Sequence, residues 1–336
     1  MKKIFCAIAA LIMMMTMAAC ANNAQQAGGN GGEQAKSQNG DVAEIGISQY
    51  GEHASLDNCR EGFLQGLQDA GLVEGEDYTI SYQNAGFDDA IAAQIAQTFS
   101  ADNVALMCAI ATPAATACYV AAEDKDIPVV FTAITDPEEA HLDSGNITGT
   151  SDKLPVEAQL TLIRQMQPQA KTIGIVYTTS EPNSVAAIAE YEEKAGSYGF
   201  AIEAVGVTAQ AEVTQAVDTL LNKGVDCFSN LTDNNVVGVL ASMLEKTNEA
   251  GIPVYGSEVE QVKAGCVAAA GIDYFELGCR TGEMAAAILK GEATAEEMDY
   301  ETIAEFGLYI NSQAISDMGL ALPDALAQKA VEAEAA

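Results

Sequence analysis

From Val42 onward the chain alternates short apolar runs with longer stretches in which apolar residues recur every three or four positions. Strand and amphipathic helix in turn are the signature of parallel sheets covered on both faces, since each crossover must carry the chain back across the sheet before the next parallel strand can pair. Val42–Ser48 reads as the first strand. Leu56, Cys59, Phe63, Leu67 and Ala70 then share one face of a helix over Leu56–Ala70, closed by Gly71, and Tyr78, Ile80 and Tyr82 alternate as the next strand.

The same reading predicts helices over Asp88–Phe99, Thr112–Asp124, Val156–Met166, Ser184–Tyr198, Glu212–Leu221 and Val236–Ala250. Strands are predicted over Val104–Ile110, Pro128–Thr132, Ile147–Ser151, Thr172–Tyr177, Ala201–Val207, Val225–Ser229, Pro253–Tyr255 and Cys266–Ala270. Two rounds of the pattern each reach an Ile-Pro-Val strand, at Ile127-Pro128-Val129 and Ile252-Pro253-Val254. A chain of this length also exceeds what one core usually serves, so two α/β lobes of like topology are expected.

Ahead of this region, Lys2 and Lys3 precede an apolar stretch from Ile4 to Met17 that ends in Met17-Ala18-Ala19-Cys20. The stretch is shorter than the roughly 18 to 20 residues a spanning helix needs, so residues 1–19 read as a signal peptide. Its end resembles the bacterial lipobox, which implies cleavage before Cys20 and lipid attachment to that cysteine; the alternative is an ordinary secretory signal. Residues 21–40, almost wholly Asn, Gln, Gly, Ala and Ser, offer too little apolar surface to offset the entropy of ordering, so residues 20–40 read as a lipidated cysteine and flexible tether.

Forty-eight acidic against 15 basic side chains leave a formal charge of −33, more negative still once Lys2 and Lys3 depart with the leader. Such a balance excludes nucleic acid as a partner. Cys59, Cys108, Cys118, Cys227, Cys266 and Cys279 are even in number and permit disulfides, yet several sit in apolar strand-like runs and none forms a C-x-x-C pair, so core thiols are the favoured reading. Neither a metal nor a cofactor is expected. With two histidines and no G-x-S-x-G, H-E-x-x-H or G-x-x-x-x-G-K-[ST] motif, the chain gives an enzyme little support, although a carboxylate-only hydrolase stays open. The lack of tryptophan weighs mildly against a sugar receptor.

Several joined local sequences carry a stronger message. They are Ile45-Gly46-Ile47-Ser48-Gln49-Tyr50 with His53, Ile110-Ala111-Thr112-Pro113-Ala114-Ala115, Phe131-Thr132-Ala133-Ile134-Thr135-Asp136-Pro137 and Asn146-Ile147-Thr148-Gly149-Thr150-Ser151-Asp152. Ser184, Thr232-Asp233-Asn234, Ser257-Glu258 and Gly271-Ile272-Asp273-Tyr274 follow in the second half. In these, over nearly all of residues 43 to 320, the chain resembles the ABC-transporter substrate-binding family that includes tryptophan- and tyrosine-binding lipoproteins. The resemblance implies a type I periplasmic-binding-protein-like α/β fold, two doubly wound parallel-sheet lobes joined by a three-crossing hinge. The crossings are expected near Ser151, at Gly271 to Tyr274, and between Gly291 and Ile303. Lobe 1 would comprise 41–151 plus about 274–296, and lobe 2 would comprise 152–273 plus about 297–336.

The resemblance further implies an extracytoplasmic, membrane-anchored, monomeric receptor, not an enzyme, that passes a small solute to an ABC permease and its ATPase. An L-amino acid, aromatic by preference, is the expected ligand; a branched-chain amino acid, a nucleoside or a sensor role remain alternatives. A transcription regulator's sensor lobes are countered by the signal peptide and by the lack of a basic helix-turn-helix. The motifs fall where strands hand over to helices, the end of a parallel sheet at which ligands bind. Expected ligand contacts are Gln49, Tyr50 and His53 on the first-lobe wall, Thr112 and Ala114 at a helix start suited to a carboxylate, Thr132, Thr135 and Asp136 after a buried strand, and Ser151 at the hinge. Asn183, Ser184, Thr232, Asp233, Asn234, Ser257, Glu258 and Asp273 complete the set. Asp273, then Asp233 and Asp136, are the candidates to face a ligand ammonium, although each of these motifs also fits a plain helix cap or turn.

Overall fold

The computed structural model describes residues 42–303 and 306–333, so the signal peptide, Cys20 and the tether lie outside the described residues. The first half runs β1 (Ala43–Gln49), α1 (Ala54–Asp69), β2 (Tyr78–Asn84), α2 (Asp89–Asp102), β3 (Leu106–Ile110), α3 (Thr112–Ala122), β4 (Val129–Ile134) and β5 (Ile147–Ser151). The second runs α4 (Val156–Met166), β6 (Thr172–Thr178), α5 (Pro182–Lys194), β7 (Ala201–Val207), α6 (Gln210–Lys223), β8 (Cys227–Ser229), α7 (Asn234–Gly238), α8 (Leu240–Ala250), β9 (Val254–Tyr255), α9 (Val259–Lys263) and β10 (Ala268–Gly271). It closes with α10 (Tyr274–Leu289), β11 (Glu301–Thr302), β12 (Gly307–Ile310), α11 (Ser312–Asp317), α12 (Asp324–Ala327) and β13 (Val331–Glu332).

In the first lobe the strands lie in the order β2-β1-β3-β4-β5-β11, all parallel. Its central strands β3, β4 and β5 are buried along their whole length, as expected of strands covered on both faces, while the edge strand β2 alternates. In the second lobe β7-β6-β8-β9 run parallel and β10 joins β12, antiparallel, and then β13. A bridge between Gly256 and Ala269 links the two sets.

Three crossings connect the lobes, after β5, between β10 and α10, and between β11 and β12. The third lies just past the segment expected for it, because β11 pairs with β5 and thereby keeps residues 301–302 in the first sheet, where the sequence reading had begun lobe 2 at about 297. Helix α10 lies against α1 with almost no side chain between them: a Cβ on Gly66 would fall 2.0 Å from the Cys279 carbonyl oxygen, and one on Gly282 2.2 Å from that of Phe63. Glycine is required there for packing, with no turn involved.

Two departures from the predicted elements bear on the site. The helix expected over Val236–Ala250 is broken at Val239 (φ −124°, ψ 22°), and its first piece starts early, at Asn234, where the Asp233 carboxylate accepts the Val236 N–H at 2.9 Å. The unexpected short helix α9 is started in the same way by Glu258, which accepts from the N–H groups of Glu260 and Gln261. Both carry residues to the cleft.

Candidate ligand-binding site between the lobes

The carboxyl ends of both sheets face one another and leave between them a cavity of only about 10 Å³. The lobes are therefore closed on it. On the first-lobe side it is lined by His53, Ser55, Leu56 and Ala133, and on the second by Thr232, Asn234, Val237, Glu258 and Gln261; Asp152 and Tyr274, from two of the crossings, complete it. Ala133 holds φ 60°, and Ala111, at the end of the neighbouring strand, φ 79°. Non-glycine residues in that region are strained, and here Ala111 sits where β3 turns into α3 and Ala133 at the register shift between β4 and β5.

Hydrogen bonds cross the cleft at four places. Ser55 Oγ donates to Glu258 Oε1 at 3.0 Å, Asn58 Nδ2 to Glu260 Oε1 at 2.8 Å, the hydroxyls of Thr135 and Thr232 meet at 3.1 Å, and His53 Nε2 lies 3.5 Å from Asn234 Oδ1. Two of the crossings are tied as well, because the Tyr274 hydroxyl donates to Asp152, whose other oxygen accepts from Thr135 at 3.0 Å.

The cavity holds two buried carboxyls. Burial raises Asp152 above the usual carboxylate range against the lowering effect of its hydroxyl donors, and burial raises Glu258 to about 7. Neither belongs to an ion pair among the described residues. Acids held this way are driven toward protonation or toward a cation. His53 responds in the opposite sense, with burial lowering it to about 4, so its ring is neutral.

Of the residues singled out from sequence, His53, Thr232, Asn234 and Glu258 line the cavity, and Thr135 borders it through Asp152 and Thr232. Others stand behind the wall. Gln49 donates to the Gly51 carbonyl and to Asp57, and the Tyr50 hydroxyl donates to Asp89 at 2.8 Å while its ring meets Phe87 edge-on. Thr132 points into the core, toward Cys59 Sγ at 3.7 Å and the Thr150 hydroxyl at 3.3 Å. Ser151 Oγ donates to the Thr135 carbonyl, Ser257 Oγ donates to that of Asn230, and Ala114 is fully buried. Thr112 Oγ1 is buried and has no partner among the described residues.

The three aspartates considered for an ammonium are placed as caps. Asp273 accepts the N–H groups of Phe275 and Glu276 at the start of α10, and Asp136 accepts that of Glu139 in a turn. Asp233 is buried and saturated by Thr178, Ser184 and Val236. None lines the cavity.

Sequence reasoning passed over Glu181 and, as ligand contacts, Ser55, Asp152, Gln261 and Tyr274. Glu181, 1 % exposed, accepts from the backbone and side-chain amides of both Asn234 and Asn235 and from Asn183 Nδ2. Burial, and then the nearby Asp233 charge, raise it to about 8. It thus fixes the loop that presents Thr232 and Asn234. Asp152, beside a residue already chosen, was within reach of the motif; Ser55 and Gln261 carry no local signal.

Residues 44–334 match the family model described as ABC transporter substrate binding protein. The chain belongs to this family. It is 35 % identical over 326 residues to a tyrosine-binding protein of Clostridioides difficile, covering 95 % of this chain and 93 % of that one. A Streptococcus pneumoniae ABC domain solved in complex with L-Trp superposes with a TM-score of 0.83 at 30 % identity, over 87 % of this chain and 99 % of that one. A ligand-free, open substrate-binding protein with adhesive properties from Clostridium difficile gives 0.65 at 35 % identity, over 88 % and 100 %. ABC substrate-binding proteins work outside the cytoplasm, with a small-molecule ligand and a transporter as partners, and the type I periplasmic-binding-protein fold described above is the frame for that role.

Proposed function

We propose that this substrate-binding protein captures a zwitterionic α-amino acid with an aromatic side chain in the interlobe cavity and hands it to an ABC permease powered by its ATPase. One observation carries this reading. Asp152 and Glu258, two buried carboxyls without cationic partners among the described residues, converge on one hinge-side cavity, and an ammonium there would supply the missing charge.

The amino end of α3, with the unpaired Thr112 hydroxyl, is the candidate for the ligand carboxylate in a less tightly shut lobe arrangement. The chain superposes better on the Trp-bound relative than on the open one despite lower identity, which supports hinge closure around ligand as the working motion. No catalytic step is proposed. Cys20 carries the lipid anchor, and the receptor acts as a monomer.

A thermal-shift screen of the ligand-free protein against the common amino acids, nucleosides and simple sugars tests the ligand class. Selective stabilisation by Tyr, Trp or Phe, weakened at least about 100-fold in affinity in Asp152→Asn, is the expected result. Stabilisation by nucleosides or sugars alone would overturn it.

A further inference from the structure

The cavity also contains an acceptor that no protein group uses. His53 Nδ1 is buried and has no hydrogen-bond partner among the described residues. Which ring nitrogen bears the proton follows from its neighbours. Both Glu181 oxygens face the backbone N–H groups of Asn234 and Asn235, which can only donate, so the ionised carboxylate acts purely as an acceptor. The amide nitrogen of Asn234, 2.7 Å from Glu181 Oε2, must therefore point at it, and the amide oxygen points at His53 Nε2. An oxygen there calls for a hydrogen on Nε2, and in a neutral ring Nδ1 is then a bare lone pair.

The position of this lone pair sets it apart from the ammonium end. Glu258 is held by Ser55 and Asp152 by Tyr274, whereas the His53 ring meets Asn234 and Phe87. Around His53 the surroundings are aromatic and aliphatic, with the Phe87 ring lying parallel at 9° and 6.4 Å between centroids, and Val237 on the facing lobe. Such a place suits a ligand ring with one polar hydrogen.

Building on the amino-acid reading above, we infer that His53 Nδ1 accepts a hydrogen bond from a donor on the ligand's ring, a phenol O–H or an indole N–H, and so selects tyrosine- or tryptophan-like side chains over phenylalanine. Glu181 and Asn234 are positioning residues that fix the tautomer. A ligand without the donor leaves a buried acceptor unmet, which discriminates by roughly 10- to 100-fold.

Calorimetric titration of the protein with L-Tyr, L-Trp and L-Phe measures this directly. The wild type is expected to prefer Tyr or Trp over Phe by that factor, and His53→Phe to bring the ratio to within about threefold, on top of whatever common loss follows from the missing bond to Asn234. A preference unchanged in His53→Phe overturns the assignment. So does an equal loss for all three, which would put His53 on the ammonium that they share. Absence of binding by any of them to wild type would sink the amino-acid reading itself, and with it this one.

A second measurement needs no variant. The chain has only two histidines, and His141 is exposed, so ¹⁵N spectra of labelled protein report His53 cleanly. Nδ1 unprotonated, and shifted by Tyr or Trp but not by Phe, supports the inference; a protonated Nδ1 overturns it. Glu181→Gln should give a mixture of tautomers, which a merely structural role for Glu181 would not produce.

Discussion

Replacing Glu258 by glutamine separates the charge of this carboxyl from its shape. Its oxygens accept from Ser55 and Gln261 on one side and Glu260 on the other, yet burial outweighs these donors and raises the group to about 7 from an ordinary 4.5. A carboxyl raised by folding binds its proton more tightly in the native state, so its contribution is full below pH 4.5 and is lost as pH climbs through 7. At about 1.4 kcal/mol per pH unit the loss reaches about 3 kcal/mol. Glutamine escapes it, but its amide nitrogen must face a backbone N–H that the carboxyl accepted, a pH-independent cost of about 1 to 2 kcal/mol. Urea titrations of the ligand-free proteins should therefore find Glu258→Gln the weaker at pH 5 and the stronger at pH 8, the difference moving by about 2 to 3 kcal/mol. Comparison at equal pH cancels His53, whose lowered value gives the opposite slope between about 4 and 6.5, and Glu181, common to both. A difference that stays constant, or that grows in favour of wild type as pH rises, would refute the buried placement of Glu258.

Gly66→Ala should cost about 3 kcal/mol by forcing α10 away from α1 by about an ångström, seen as a lowered urea midpoint; a loss under about 1 kcal/mol would mean that the helices do not touch as described. Asn58→Ala removes one bond across the cleft at a half-exposed site, so stability should change by less than about 1 kcal/mol while ligand affinity falls about two- to tenfold, because the closed form is selectively weakened. Thiol titration should find six groups in denaturant and at most a slow reaction at Cys279 in the native protein, since the other five are buried and unpaired; a seventh thiol would mean that Cys20 is free of lipid.

The alternation of apolar runs and amphipathic stretches was enough to determine the α/β class and the positions of most strands and helices, because strand and helix periods are local properties of the chain. In β12 and β13 no period can develop over so few residues, and pairing with β10 and with each other creates them, while α9 rests on a single capping carboxyl. The strand-to-helix junctions were equally legible, but not what their polar residues do. Asp233, Asp273 and Asp136 are caps, whereas Glu258 is both a cap and a cavity wall, and the same residue types at the same junctions serve either purpose. Only the closing of one lobe on the other decides which of them meet. Ser55 with Glu258, Thr135 with Thr232, and Tyr274 with Asp152 are far apart in the chain, and a carboxyl becomes a ligand group only when such contacts remove it from water without giving it a cation.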